Sequence, residues 1–406
     1  MDKAGRGAGL VAAADPALPL VPDYGGACLS EVVPLLLGLL DGASAGSSTT
    51  GSTGARGAPA GSGDGAGRLP SWAPTELARA RQVVLLVLDG LGWEQLEERG
   101  DRAPTLAAMR GGPITSVAPT TTASALTSLA VGLPPAAHGV VGYRIAEGRS
   151  VLNVLKWATA EGDARRRVPP GSVQASPPFL GRRCPVVTRA EFAGSGFTEA
   201  HLSGAPIFGW RVSSSLAVEV GRLVRAGERF VYAYYDGVDK VAHDTGLGEH
   251  YGAELRAADR LVADLLAVLP RDCALAVTAD HGQVEVRSAP IELDGSVSAD
   301  VELLSGEARF RWLHARPGAA ERLAGRCRDL YGDVAWVRTR AEVVAERWLG
   351  EPPAPKVARR LGDVALVARE PVAFFDPADT GELRLVSRHG SLTSAEMLVP
   401  FLASLQ

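Results

Sequence analysis

Three apolar runs in this chain each stop at acidic residues. Asp89 follows VVLLVL, Asp236 and Asp239 follow FVYAYY, and Asp280 follows ALAVTA. A lone aspartate after a strand is ordinarily a turn residue or helix cap. Three acidic strand exits on one sheet edge would instead crowd negative charge that a cation must neutralise. Two of them have histidine at hand. Asp239 and His243 stand four apart, which places both on one face of a helical turn, and Asp280 is followed directly by His281. His389 lies far downstream in an Arg-His-Gly turn. Mixed Asp/His sets without cysteine suit zinc, and to a lesser extent manganese or iron. Thr120-Thr121-Thr122 opens an Ala/Leu-rich segment. A threonine there can simply cap a helix. It can also be a nucleophile, because a helix N-terminus offers free N–H groups to an anion and a metal favours the alkoxide.

The elements that must position these residues alternate along the chain. Gln82 to Leu88, Phe230 to Tyr235 and Ala274 to Thr278 are near-continuous apolar runs, the pattern of strands buried on both faces of a parallel sheet. Further strands are expected at Ile114 to Ala118 and, more weakly, Pro185 to Thr188. Helices are expected at Pro104 to Arg110, Ala123 to Val131, Ser213 to Ala226 and His250 to Leu269. The repetition predicts an α/β fold with a mostly parallel central sheet flanked by helices. In such a sheet the carboxyl ends of the strands share an edge where ligands bind.

Residues 299–362 read as a small inserted α+β unit. Ala308 to Ala315 alternates as a half-exposed strand does, with Arg309 and Arg311 on the solvated face. The catalytic core is expected over 81–298 and 363–406, ending in a helix. Residues 1–40 form an N-terminal arm whose Val32 to Leu40 run docks on the core as a helix. Residues 41–70, almost all Gly, Ala, Ser and Thr, are expected to be a disordered loop.

Composition narrows the class. The chain has 406 residues with a net charge of −4, which argues against a stable nucleic-acid complex. The four cysteines are scattered, with no C-x-x-C pair, so no disulfide scaffold is expected. No secretory leader is evident, and the longest apolar run is too short to cross a bilayer. The expectation is a cytoplasmic protein without a membrane partner.

Taken in order, these segments resemble the alkaline phosphatase superfamily, and within it the type I phosphodiesterase/nucleotide pyrophosphatase family. VVLLVLDGLGW, APTTTASALTSLAVGLPPAAHGVVGYR, YAYYDGVDKVAH, VTADHGQ and RHGSLTSAEMLVP carry the resemblance. It implies two divalent metal ions, zinc first, with manganese admitted by the same ligands. Asp239, His243 and His389 match one ligand set. Asp89, Asp280 and His281 match the other, joined by the nucleophilic threonine. The family places that threonine ten residues before the glycine of its T-G-L or V-G-L turn, which here is Gly132 and selects Thr122. The implied chemistry is attack on phosphorus by a Thr122 alkoxide, a covalent phosphothreonine intermediate and its hydrolysis. The implied substrate is a small phosphorylated molecule, nucleotides included, cleaved at a phosphodiester or pyrophosphate bond. A phosphomonoesterase or phosphonate hydrolase of the same superfamily is the nearest alternative. A non-catalytic phosphate- or nucleotide-binding protein is the alternative of another class.

Two departures qualify the resemblance. Nucleotide-hydrolysing members carry an asparagine where this chain has Tyr143, so Tyr143 is the candidate substrate-binding residue. Asp236 exceeds the metal count and is read as a strand-end cap or a partner behind the ligands. His138 is read as holding its loop. Arg144 and Lys240 are read as phosphate contacts or exposed charges.

Overall fold

In a computed structural model, the structure describes residues 17–45 and 69–406. Its centre is a seven-stranded sheet in the order Arg110–Thr115, Leu398–Leu405, Cys273–Thr278, Gln82–Leu88, Phe230–Tyr235, Val186–Arg189, Ile207–Trp210. The last five of these run parallel, and Leu398–Leu405 lies antiparallel to its neighbours on both sides. The Gln82–Leu88 strand is buried throughout after its first residue, and Cys273–Thr278 along its whole length. That double-sided burial is why these segments read as unbroken Val, Leu and Ala.

Register aligns the acidic exits. Val87 pairs with Thr278 and Leu88 with Tyr235, so Asp89, Asp236 and Asp280 emerge together on one edge. Behind them lies the Thr122–Val131 helix, in which every residue from Ala123 onward is buried. A helix buried all round must satisfy its hydroxyls internally. Ser124 Oγ donates to the Val140 carbonyl at 3.0 Å and Thr127 Oγ1 to the Ala123 carbonyl at 2.6 Å. Gly132 ends the helix with φ +70°, and its amide donates to the Ser128 carbonyl at 2.9 Å. A left-handed residue here stops the helix at little steric cost only if it is glycine.

Several expectations are corrected. The chain does not end in a helix: Ser394–Met397 is one turn and Leu398–Leu405 is a strand inside the central sheet. Pro400 argues against an interior strand, but it stands opposite Pro113, so two residues without an amide hydrogen face each other. The edge strand is Arg110–Thr115 rather than Ile114 to Ala118, and the preceding helix is Pro104–Ala108. The N-terminal helix runs Leu29–Ala45, burying Val32, Val33, Leu36, Leu37 and Leu40. It therefore takes in the first five residues of the stretch expected to be a disordered loop; residues 46–68 of that stretch lie outside the described residues.

The small sheet is four-stranded and antiparallel: Val301–Glu307, Phe310–Ala315, Val364–Ala368, Ala335–Thr339. Val364–Ala368 thus belongs to it and not to the central sheet, so this unit passes the expected boundary at residue 362. Arg309 and Arg311 are fully buried instead of solvated. Arg309 Nε and Nη2 donate to the two Glu396 carboxylate oxygens at 2.8 and 2.7 Å. Alternation in the sequence could not show a partner so far downstream. A second unforeseen sheet, of short strands within 144–163, also packs beside the core.

Candidate metal centre

The structure brings all of the expected metal-site positions to the carboxyl edge of the central sheet. Oxygen and nitrogen atoms of Asp239, His243 and His389 lie within 4.8 Å of one another, and so do those of Asp89, Asp239 and His281. Asp239 therefore stands in both groups, one more than expected. His243 Nε2 is 3.2 Å and His389 Nε2 4.0 Å from Asp239 Oδ1. His281 Nε2 lies 3.5 Å from Asp89 Oδ1 and from Asp280 Oδ2. Thr122 Oγ1 is 3.2 Å from the same nitrogen.

Each imidazole is aimed by its other nitrogen. His243 Nδ1 faces the Ser387 carbonyl at 2.7 Å, His389 Nδ1 that of Thr120 at 2.8 Å, and His281 Nδ1 that of Gly282 at 3.1 Å. A carbonyl only accepts, so all three Nδ1 atoms carry hydrogen, and each ring is held with Nε2 turned towards the site. The carboxylates are fixed likewise. Asp280 Oδ1 accepts from the amides of Gly90 and His281, each at 3.0 Å. Asp89 Oδ2 accepts from the Tyr234 hydroxyl. Asp239 Oδ1 accepts from Gln283 Nε2 at 2.6 Å. Gly90, with φ +74°, lets the backbone pass close to Asp239: a Cβ there would lie 2.8 Å from the Asp239 Cβ.

These residues fit a divalent cation. Asp89 Oδ1 and Asp280 Oδ2 are buried without a hydrogen-bond partner, a costly state for carboxylate oxygens unless a cation takes them up. Burial, then the Asp280 and Asp239 charges, push the Asp89 carboxyl well above its ordinary pKa. Burial, then His281 and His243, hold His389 well below the usual imidazole value. Imidazole nitrogens and crowded carboxylates are the donor set that zinc takes.

Asp236 is different. It is bound by Arg189 Nη1 at 3.2 Å and by Lys240 Nζ at 2.5 Å, so its charge is already matched. It makes no side-chain cap bond to the helix it precedes. His138 does hold its loop: Nε2 donates to Ser128 Oγ at 2.8 Å, and Nδ1 accepts from the Val140 amide at 3.1 Å. Tyr143 does not line the cavity beside Thr122. It borders a separate cleft of about 950 Å³, where its hydroxyl accepts from Asn153 Nδ2 at 2.7 Å. Arg144 borders the same cleft, buried against Asp376 and Asp379. The roles of Tyr234, Gln283 and the Thr120 carbonyl were not foreseen from the sequence. Their segments stood out, but nothing in the spacing showed which ligand each would hold.

The sheet edge thus gathers carboxylates and imidazoles beside a helix-borne threonine. The model of the family described as type I phosphodiesterase / nucleotide pyrophosphatase matches residues 83–392, and the chain belongs to that family. Among solved structures, it is similar to an inactive variant of murine ectonucleotide pyrophosphatase / phosphodiesterase 5 in complex with AMP. The TM-score is 0.61 at 18% identity, covering 79% of this chain and 87% of that one. It is also similar to phosphonoacetate hydrolase from Sinorhizobium meliloti 1021 in complex with phosphonoformate. There the TM-score is 0.56 at 19% identity, covering 82% and 90%. At these identities the likeness is one of fold. No curated protein sequence matches the chain. No described helix is long and apolar enough to cross a membrane.

Proposed function

We propose that this chain hydrolyses phosphodiester or pyrophosphate bonds in small phosphorylated molecules through a phosphothreonine formed on Thr122, at a site for two divalent ions. Asp239, His243 and His389 would hold one ion. Asp89, Asp280 and His281 would hold the other, with Thr122 beside it. Zinc suits these donors best, and manganese is admitted. When bound, such ions supply Lewis-acid charge that favours an oxygen nucleophile and a leaving oxygen.

The chain's own residues supply the rest. Thr122 opens a ten-residue helix, so the free N–H groups of the first turn face an incoming phosphoryl group. Its side chain is only half-buried and borders a cavity. Thr122 Oγ1 would displace the ester oxygen and take the phosphoryl group, and water would then release phosphate or a monoester and restore the hydroxyl. The observation that carries this reading is the approach of Thr122 Oγ1 to within 3.2 Å of His281 Nε2, the nitrogen that the unmatched oxygens of Asp89 and Asp280 also surround.

The neighbours bound to AMP and to phosphonoformate support a small phosphorylated substrate. The second of them keeps a phosphonate hydrolase in view. Four buried, unpaired cysteines fit a cytoplasmic setting. The deciding experiment sets an aryl phosphodiester, an aryl phosphomonoester and a phosphonate against zinc-loaded wild type and Thr122→Ala, with metal content measured alongside. Diester turnover that vanishes in Thr122→Ala, with about two ions per chain retained, supports the reading. Turnover that survives the substitution removes Thr122 as nucleophile, and near-zero metal in protein purified without chelator removes the metal site.

A further inference from the structure

Beside Thr122 lies a cavity of about 220 Å³, below the roughly 300–1,000 Å³ of sites for drug-sized ligands. Leu126, one helical turn on from Thr122, forms its wall with Phe192, Phe197 and Leu202. Tyr234 lines it too, but its hydroxyl is committed to Asp89. Lys240 is the sole lysine or arginine among the described lining residues, and Asp236 already binds it at 2.5 Å. A second anionic group entering here would leave water without a free cation to meet it, at a large cost.

Tyr232 also lines the cavity, its hydroxyl buried without a hydrogen-bond partner, and one further polar group is differently placed. His201, at the end of the Gly196–His201 helix, is only 4% exposed. Its ring stacks on that of Phe197, centroids 4.0 Å apart and planes 20° apart. His201 Nδ1 faces the Phe197 carbonyl at 2.7 Å. That carbonyl can only accept, so Nδ1 carries the hydrogen and Nε2 keeps its lone pair. Nε2 has no hydrogen-bond partner among the described residues. Burial pushes the imidazole pKa down to about 4, so the ring remains a neutral acceptor in neutral solution. The chemistry of the Thr122 site makes no use of it.

We infer that the substrate group seated beside Thr122 carries no negative charge, is mainly apolar and about the size of one substituted ring, and donates a hydrogen bond to His201 Nε2. His201 is then a specificity-determining residue. The inference rests on the phosphoester-hydrolase reading of the Thr122 site. It narrows the substrate class to esters whose bound group carries an N–H or O–H on an otherwise apolar frame.

The test is calorimetric binding of phenylphosphonate, its 3- and 4-hydroxyphenyl analogues and 3-carboxyphenylphosphonate to the zinc-loaded wild-type protein. At least one hydroxyl analogue should bind about three- to tenfold tighter than phenylphosphonate. The carboxyl analogue should bind about tenfold weaker or worse. In His201→Phe, which keeps a stacking ring without an acceptor, the hydroxyl advantage should disappear while phenylphosphonate still binds. Equal affinities for the phenyl and both hydroxyphenyl ligands in wild type, or a carboxyl ligand as good as phenyl, would overturn the inference. The wild-type ligand ranking decides the matter even if His201→Phe does not fold. Failure of the Thr122 reading has a separate signature, diester turnover that persists in Thr122→Ala whatever the ranking.

Discussion

At the carboxyl edge of the central sheet, Asp89 and Asp280 are sealed from water with one oxygen apiece unmatched. In the small sheet, Arg309 is sealed just as completely, but it meets both oxygens of Glu396 and, through Nη1, the carbonyls of Glu370 and Val372 at 2.9 and 2.8 Å. Glu396 in turn accepts from the Ser391 amide at 2.9 Å and from Thr393 Oγ1 at 2.6 Å. Both places bury charge, yet the Arg309–Glu396 pair is answered in full where Asp89 and Asp280 are not. Buried charge with its full set of partners fixes a shape, whereas buried charge left short of one marks the place of something that arrives from outside.

The contrast can be broken at its strongest point first. Thr122→Ala should lower diester turnover by about 1,000-fold or more without moving the melting temperature of the zinc-loaded protein. A parallel fall in both would make Thr122 a structural residue. Arg309→Met should do the reverse. Leaving Glu396 buried and unpaired should cost about 3–5 kcal/mol in urea unfolding, and Arg309→Met with Glu396→Met should recover most of it. A double variant no better than the single would mean that the pair is not a closed unit.

Asp89→Asn sharpens the comparison further. In chelator, removing one of the crowded carboxylates should raise stability by on the order of 1–2 kcal/mol, while zinc content falls. A loss of stability in chelator would show that Asp89 is already satisfied without an ion. The smallest effect belongs to His138. Burial pulls its pKa to about 3, so on acidification the unfolded chain takes up the proton first. The stability it lends is complete above its unfolded value, about 6.5, and drains away as pH falls from there towards 3. By pH 5.5 wild type should have lost about 1 kcal/mol that His138→Gln does not lose; identical slopes would remove His138 as the cause.

Much of the centre was legible because parallel strands buried on both faces announce themselves as apolar runs, and their acidic exits follow directly. The pairing of Asp239 with His243 was legible from helical spacing alone. The particular threonine, and the place of His389, came from resemblance to a family, since a loop histidine carries no periodic signal. What stayed hidden depended on partners distant in sequence. Arg309 looked solvated because Glu396 stands 87 residues away. Leu398–Leu405 was expected to be helical, and the strand beside it, which sets Pro113 opposite Pro400, lies far upstream. His201 drew no notice because a lone histidine means nothing until its neighbours are known.

The position of Leu398–Leu405 also bears on how the molecule comes into being. Translation delivers this strand after all the others of the sheet, yet its berth is between Arg110–Thr115 and Cys273–Thr278. Until it docks, two flanking strands offer bare amide and carbonyl rows to any passing polypeptide. A nascent chain halted just short of Leu398 would carry His389 and every other site residue and still be a candidate for chaperone custody rather than a working catalyst.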